Sequence, residues 1–280
     1  MDDFDLRLNN ALTLIRDADY ILIGAGAGFS TAAGIEYFGR RFTDNFGDFI
    51  EKYNLTDMYS AGFYPYKTQE EKWAYWVRHV YLNRYHVGKT KLYSQLLEIV
   101  KDKDYFVLTT NVDHQFWING FEDERIFATQ GDYGLMQCIN ACHNKLYDNE
   151  DFIKEALEKT VDCKIPSDLV PKCQVCGADM DLNLRKDNFF VEDEKWMEMN
   201  NNYINFLRKS DGSEIVFLEL GVGFNTPTII RFPFERMTLQ NKYAKLIRLN
   251  KDYPEAMPKN QNKTISFNEN ISEIFEYWLK

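Results

Sequence analysis

The chain has 280 residues, enough to bury one large core, with or without a smaller insert. Apolar residues make up 45% and charged residues 27%, which is globular usage and excludes the disordered and fibrous classes. The net charge of −10 argues against nucleic acid or an anionic membrane as a partner, because both carry charge of the same sign.

The first ten residues, MDDFDLRLNN, are acidic where a secretory signal would be basic. No apolar run approaches the roughly 18 residues that span a bilayer. We therefore expect a cytoplasmic protein without a membrane partner.

Helical and strand patterns alternate along the chain. Apolar periodicity predicts a helix over residues 4–15, and a short apolar run at 20–23 predicts a strand that ends in a glycine-rich turn. An amphipathic helix is predicted at 73–84, and its pattern resumes at 92–100. Further strands are predicted at 105–108, 125–128, 215–220, 244–249 and 264–267.

This alternation favours an α/β fold with a doubly wound, mostly parallel sheet, which binds ligands beyond the carboxyl ends of its strands. Two stretches interrupt it: 38–94 is aromatic and helical, and 138–180 holds every cysteine. We expect residues 1–37, 95–137 and 181–280 to form the α/β domain. The two interruptions should form a helical module and a cysteine module of a smaller lobe.

Three glycines, Gly24, Gly26 and Gly28, follow the first predicted strand. They would let backbone N–H groups approach a diphosphate, and a helix predicted to begin near Ser30 would add its positive end. Because position 29 is Phe29, the dehydrogenase pattern G-x-G-x-x-G is not met, which disfavours hydride transfer. The alternative is a turn that serves only the packing of strand on helix.

The cysteines indicate a metal site. Cys173 and Cys176 have the two-residue spacing of a zinc knuckle, and Cys138 and Cys142 supply an upstream pair. We predict that these four thiolates hold a structural zinc ion. The alternatives are Cys163 or His143 in place of one of the four ligands, or a reduced lobe without metal.

Six segments resemble the motifs of the sirtuin family. They are GAGAGFSTAAGI at 24–35, TTNVDHQF at 109–116, ATQGDYG at 128–134, CQVCG at 173–177, LRKDNFFVED at 184–193 and GVGFNTP at 221–227. Within the family the chain looks most like the macrodomain-associated class, called M. The resemblance implies a Rossmann-like NAD-binding domain with a small zinc-binding and helical lobe, and it implies NAD as co-substrate.

Three departures from the family pattern bear on the activity. Deacylating sirtuins carry a histidine where this sequence has Gln130, directly before Gly131. Where they read G-I-P-D-F-R, residues 34–39 read GIEYFG, and where they read G-T-S, residues 221–223 read GVG. The class M enzymes differ from the deacylases in these places as a group.

Gln130 cannot act as the general base of deacylation, because a carboxamide does not titrate near neutral pH. Losing such a base typically costs a factor of about 10² to 10⁴. Direct transfer of ADP-ribose to a side chain does not need that base, so the sequence predicts an NAD-dependent protein ADP-ribosyltransferase. A deacylase, an NAD glycohydrolase and a protein that only binds NAD or ADP-ribose are the alternatives.

By the resemblance, Asn111 orients the ribose or the attacking group, Asp113 helps to fix nicotinamide, and Gln130 positions the ribose. Arg185 is the third candidate catalytic residue after Asn111 and Gln130, and it would hold an acidic acceptor or a phosphate. Asn111 and Asp113 alternatively cap a helix, and Arg185 alternatively forms a structural salt bridge. His114 is either a substitute base or a packing residue.

The predicted NAD contacts extend to two strand ends that line the adenosine half in sirtuins. The full set is Gly24, Ala25, Gly26, Gly28, Ser30, Asn111, Asp113, Gln130, Gly221, Val222, Gly223, Asn225 and Asn250. Turn chemistry alone is the alternative for the glycines at 221 and 223. Class M membership further implies a lipoyl-carrier protein resembling the glycine-cleavage H protein as substrate, and a partner macrodomain hydrolase that reverses the modification.

Overall fold

A computed structural model describes residues 3–280. Residues 1 and 2, which begin the acidic N-terminal stretch and the predicted segment 1–37, lie outside this range. The strands are β1 (Tyr20–Ala25), β2 (Asp104–Thr109), β3 (Ile126–Ala128), β4 (Gly131–Cys138), β5 (Tyr147–Asp148), β6 (Met180–Leu184), β7 (Ile215–Leu220), β8 (Lys245–Leu249) and β9 (Thr264–Phe267).

The helices fall between these strands. The α-helices are α1 (Asp3–Asp17), α2 (Ala27–Ala32), α3 (Arg40–Thr43), α4 (Gly47–Tyr53), α5 (Met58–Gly62), α6 (Gln69–Val80), α7 (Lys91–Val100), α8 (Gln115–Ile118), α9 (Glu150–Glu158), α10 (Glu194–Lys209), α11 (Arg231–Gln240) and α12 (Ile271–Trp278). A π-helix spans Tyr81–Tyr85, and 3₁₀-helices span Asp123–Arg125, Ser167–Leu169 and Pro258–Lys263.

Six strands form one parallel sheet in the order β3-β2-β1-β7-β8-β9. Successive strands therefore lie further from the centre of the sheet, from β1 to β3 on one side and from β7 to β9 on the other. The predicted strands are confirmed, with ends that agree to within two residues. The strand order reverses between β1 and β7, and in such sheets the crevice at this point is where ligands bind.

Helices cover both faces of this sheet, so the predicted doubly wound, Rossmann-like architecture is confirmed. Ile21 and Ile23 of β1 point into a core shared with α1, α7 and α12. Leu22 points to the opposite face, into a core shared with α10 and α11. Alternate residues of a strand face opposite sides, and both sides are buried here, so the strand is an unbroken apolar run.

A second sheet, antiparallel and ordered β5-β4-β6, packs with α3, α4, α5, α6 and α9 around a core of its own. We call these elements the small lobe. This sheet straddles the predicted module boundaries at 137/138 and 180/181, so most of β4 and most of β6 lie in segments predicted to belong to the larger domain. The exact division of the chain stays a prediction.

Two helix predictions need adjustment. The helix expected near Ser30 begins at Ala27, because the glycine turn is already part of its first turn. The helix expected over 73–84 changes to a π-helix after Val80, where the wider turn redirects the side chains that follow. Across residues 3–280, no helix is both long enough and apolar enough to cross a membrane.

Candidate functional site

A cleft of about 760 Å³ opens beyond the carboxyl ends of the parallel strands. Its walls are the loops after β1, β7, β8 and β9, so it lies where the strand order reverses. We call it the switch-point cleft. Its volume suits a ligand of dinucleotide size, and its position is the one this architecture uses for dinucleotides.

Three glycines hold the two central loops against each other. A Cβ on Gly26 or Gly28 would lie 2.8 Å from the carbonyl oxygen of Gly221, and a Cβ on Gly221 would lie 2.3 Å from the backbone nitrogen of Phe29. The N–H of Gly26 donates to Leu220, and that of Gly28 donates to Gly221, both at 3.0 Å. These two N–H groups therefore join the loops and are not the diphosphate donors expected from sequence.

The predicted NAD contacts fall into two groups. Those lining the cleft are Gly26, Gly28, Gly221, Val222, Gly223, Asn225 and Asn250. Those outside its lining are Gly24, Ala25, Ser30, Asn111, Asp113 and Gln130. Gly24 has a packing role, since a Cβ there would lie 2.5 Å from Ile230 and would push α11 off the sheet.

A buried polar cluster joins the start of α2 to the end of β2. The hydroxyl of Ser30 donates to Asp113 at 2.5 Å, and Asn111 donates to the Gly26 carbonyl at 3.1 Å. The hydroxyl of Tyr93 lies 2.9 Å from that of Ser30 and 3.3 Å from the Asn111 amide nitrogen. Burial raises the pKa of Asp113, and the hydrogen bond from Ser30 opposes this rise. Three of the predicted NAD contacts, Ser30, Asn111 and Asp113, thus lie together in this cluster.

Tyr93 was not foreseen from sequence, because it lies on an apolar helix face where an aromatic residue is indistinguishable from core. The helix-cap alternative for Asp113 is also seen in part. Its second carboxylate oxygen accepts from the N–H of Gln115 at 3.1 Å, at the start of α8. The carboxylate therefore has both a cap contact and a contact to the buried cluster.

Gln130 and Arg185 are adjacent, although they are distant in sequence. The side chain of Gln130 is half-buried, and none of the hydrogen bonds found among residues 3–280 involves its carboxamide. Arg185 donates to the carbonyl of Thr129 at 3.2 Å and to Glu192 at 2.5 Å. The predicted salt-bridge alternative for Arg185 is thus present, and its guanidinium also lies 4.1 Å over the ring of Phe190.

His114 is hydrogen-bonded to Asp132, a pairing that the sequence does not indicate. Its Nδ1 is hydrogen-bonded to the buried carboxylate, and its ring stacks on Trp117 with centroids 4.4 Å apart. Arg84, from the π-helix, holds the other oxygen of Asp132 at 3.1 Å. Burial would raise the pKa of Asp132, but the hydrogen bond and charge of His114 and the charge of Arg84 lower it below its usual value.

Four cysteines converge in the small lobe as predicted. The sulfurs of Cys138, Cys142, Cys173 and Cys176 lie within 4.8 Å of one another. The Cys138–Cys176 and Cys142–Cys173 sulfur pairs are 3.5 and 3.7 Å apart, respectively. Four sulfurs at about 2.3 Å from a tetrahedral zinc ion would lie about 3.8 Å apart, so the residues fit that metal.

The alternative metal ligands lie outside this arrangement. Cys163 is buried beside Asp48, and burial raises the pKa of its thiol to about 11. His143 instead contacts Cys173, with its Nε2 3.4 Å from the sulfur. The geometry therefore selects the four-cysteine set, with His143 as a neighbour of one ligand.

A buried cluster of charged side chains lies behind the wall of the cleft that is formed by the loops after β7 and β8. Glu219 of β7 accepts from Arg248 at 2.7 and 2.9 Å, and Arg231, the first residue of α11, approaches it at 3.3 Å. Burial raises the pKa of Glu219, and Arg248 opposes this rise. Asn250, predicted to contact NAD, uses its amide nitrogen to bond the carbonyl of Val222 at 2.8 Å.

The sequence and fold were then compared with known proteins. The Sir2 family model matches residues 26–214. A protein ADP-ribosyltransferase from Staphylococcus aureus is 36% identical, over 100% of this chain and 89% of its own length. A probable bifunctional ADP-ribose hydrolase/ADP-ribosyltransferase from Fusarium oxysporum f. sp. cubense is 30% identical over 89% of this chain, which spans 43% of the fungal protein.

Solved structures share the fold. A Sir2 homologue in complex with NAD superposes with a TM-score of 0.61 at 16% identity, over 97% of this chain and 92% of that one. A Sir2 mutant bound to a p53 peptide and NAD gives a TM-score of 0.61 at 19% identity, over 97% of each chain. With the family model and the full-length relative in agreement, the chain belongs to the Sir2 family.

Proposed function

We propose that this chain is an NAD-dependent protein ADP-ribosyltransferase. The observation that carries the proposal is Gln130, a side chain that cannot take up a proton, in a Sir2 chain whose cleft lies at the dinucleotide position. The name of the Staphylococcus aureus relative supports the same activity.

The proposed reaction has one bond broken and one formed. The bond between ribose C1′ and nicotinamide breaks, and the electron pair leaves with neutral nicotinamide. An acceptor atom of the target protein bonds to C1′, and any proton on that atom is released to solvent. Positive charge develops on the ribose, so the protein must hold NAD in place and admit one chosen nucleophile. In the proposal, the walls of the switch-point cleft hold the adenosine diphosphate. Asp113 and Asn111 receive the nicotinamide half.

In this proposal, Gln130 and Arg185 lie on the side of the ribose from which the acceptor atom of the target protein approaches. The free carboxamide of Gln130 offers both a donor and an acceptor to the ribose hydroxyls, and its backbone is tied to that of Arg185. Arg185 is about a third exposed, and its guanidinium carbon lies 4.1 Å from the centroid of the Phe190 ring. A guanidinium fixed in this way can orient an acidic group of the target or a phosphate.

The finer parts of the proposal follow from the class M resemblance. The substrate would be a lipoyl-carrier protein resembling the glycine-cleavage H protein, and a partner macrodomain hydrolase would remove the modification. The fungal relative supports this pairing, because its name joins an ADP-ribose hydrolase to an ADP-ribosyltransferase. The zinc ion would be structural, since four sulfurs leave no open position for substrate.

Incubation with labelled NAD and a panel of lipoylated and unlipoylated carriers tests the proposal. We expect label in a lipoylated carrier and one nicotinamide released for each ADP-ribose attached, as measured by mass spectrometry and chromatography. If NAD is consumed with no label in any protein, the chain is a glycohydrolase. If NAD binds without being consumed, the chain is a binding protein. Either result rejects the transferase.

Deacylation is a second candidate, and the His114–Asp132 pair is the observation that favours it. A histidine whose Nδ1 is held by a carboxylate can accept a proton on Nε2, as a general base does. An assay with an acyl-lysine peptide and NAD distinguishes the two activities. O-acyl-ADP-ribose made by the wild type and lost in His114→Ala would support deacylation, and its absence from the wild type would reject it.

A further inference from the structure

Arg231 bonds both of the loops that form one wall of the switch-point cleft, in addition to the bond from Asn250 to Val222. Arg231 is 5% exposed and begins α11, behind that wall. Its Nη1 donates to the carbonyl of Val222 at 3.4 Å, in the loop after β7. Its Nη2 donates to the carbonyls of Tyr253 and Glu255 at 3.0 and 3.3 Å, in the loop after β8. The arginine thus fixes the spacing of two segments that share no strand pairing.

The same side chain supports two aromatic rings at the rim of the cleft. The guanidinium of Arg231 lies 4.6 Å from the ring centroid of Phe224. Phe224 in turn packs edge to face on Tyr253, with centroids 4.9 Å apart and the rings at 86°. Both residues line the cleft and are about half exposed.

Charge balance explains only part of the contacts of this arginine. Arg248 is fully buried and bonds Glu219 at 2.7 and 2.9 Å, but it also pairs with Glu235 at 2.9 Å, so Arg231 is the second positive charge beside two buried carboxylates. Arg231 approaches Glu219 only at 3.3 Å, through the nitrogen that also bonds Val222. Its other contacts are backbone carbonyls of the cleft loops. A buried guanidinium whose donors reach carbonyls of two loops acts as a brace between them.

We propose that Arg231 is a positioning residue that sets the affinity of the cleft for the adenosine half of NAD. It touches no reacting atom and acts through the loops that carry Val222, Phe224 and Tyr253. This inference rests on the proposed use of NAD. Without Arg231, the loops keep the bond from Asn250 to Val222 but lose the contacts at Tyr253, Glu255 and the Phe224 ring, so the adenosine half binds to a less organised wall.

Calorimetric titration of the full chain with ADP-ribose tests this, together with the kinetics of NAD turnover. We expect Arg231→Gln to weaken ADP-ribose binding roughly tenfold, the effect of losing one or two hydrogen bonds from a charged donor. The KM for NAD should rise by a similar factor, while kcat changes by less than about twofold, because the contacts to nicotinamide are untouched. The ADP-ribose affinity of Arg231→Lys should lie between those of the wild type and Arg231→Gln, since an ammonium group cannot bond both loops.

Arg236→Gln is the matched control, because Arg236 lies on the same helix and is exposed. It should leave binding and the melting temperature unchanged. If Arg231→Gln does not fold, Arg231→Lys is the variant to measure instead, since it keeps the buried positive charge but cannot bond both loops, and it should weaken binding in the same direction. Unchanged ADP-ribose affinity in a folded Arg231 variant, or an equal loss of kcat, overturns the inference. Wild-type binding of ADP-ribose without transfer overturns only the proposed function, whereas failure to bind it overturns both.

Discussion

The backbone N–H of Arg185 donates to the carbonyl oxygen of Gln130 at 3.0 Å. This bond joins the turn before β4 to the end of β6, two strands that pair in the small lobe. Gly131, the next residue, has a φ of 95°, and a Cβ there would lie 1.8 Å from the carbonyl oxygen of Asn183. The close approach of these two strands therefore sets the position of Gln130 relative to Arg185.

Replacing Gln130 with alanine should lower the rate of ADP-ribose transfer by about 10²-fold, because the ribose loses a group that orients it for attack. The KM for NAD should change little, since the cleft walls are intact. The rate is measured as single-turnover transfer of ADP-ribose to a lipoylated carrier protein. Gln240→Ala, an exposed glutamine at the end of α11, is the control. A variant with the rate of the wild type would remove Gln130 from the site.

Arg185→Lys should reduce transfer while leaving the fold intact, because an ammonium group cannot keep both the contact with the Phe190 ring and a contact with the acceptor group. Glu192→Gln tests the salt-bridge explanation, since it breaks the ion pair and keeps the arginine. We expect Glu192→Gln to retain most of its activity in the same assay. Equal losses in both variants would show that Arg185 serves the salt bridge alone.

Asp132→Asn should destabilise the protein by about 3 kcal/mol at pH 7, because Arg84 and His114 lose a partly buried anion. The folded-state pKa of Asp132 lies below its ordinary value of 3.8, so its contribution to stability is present above that pH and is lost as the pH falls through the folded-state value. Denaturant unfolding at pH 7 and pH 3 checks this. The difference between wild type and variant should shrink at the lower pH, and a constant difference would contradict the ion-pair explanation.

Metal analysis of the purified protein should give one zinc ion per chain. Cys176→Ser should lose the metal and lower the melting temperature, because the ligands come from two segments that the ion holds together. Cys163→Ser is the control, since that thiol lies outside the cluster, and it should keep the metal. Zinc retained in Cys176→Ser would contradict the four-cysteine assignment, whereas loss in Cys163→Ser would point to the alternative ligand set.

The sheet and the cysteine cluster were predictable because their signals are local. An apolar run such as Ile215–Leu220 specifies a buried strand by itself, and the spacing of Cys173 and Cys176 specifies a metal-binding turn. Residues that act through distant partners were not predictable. Arg231 and Tyr93 carry no signal of their own, since the first is one charged residue among many and the second lies on an apolar helix face.

The glycine turn shows a different reason for a missed detail. The spacing of Gly26 and Gly28 indicates a close approach to their backbone, and the sequence alone favours a diphosphate as the approaching group. The approaching group is the Gly221 loop, which lies nearly 200 residues later in the chain. His114 and Asp132 illustrate the same point, because their pairing depends on how the turn after β2 meets β4.

The hydrogen bond from Gly28 to Gly221 also links the loop after β7 to the buried polar cluster. Gly221 starts that loop, and Gly28 lies two residues before Ser30, whose hydroxyl donates to Asp113. A side chain at position 28 would collide with the Gly221 backbone. Such a substitution should therefore disturb the loop after β7 and the segment that carries Ser30 together, although the two follow different strands of the sheet.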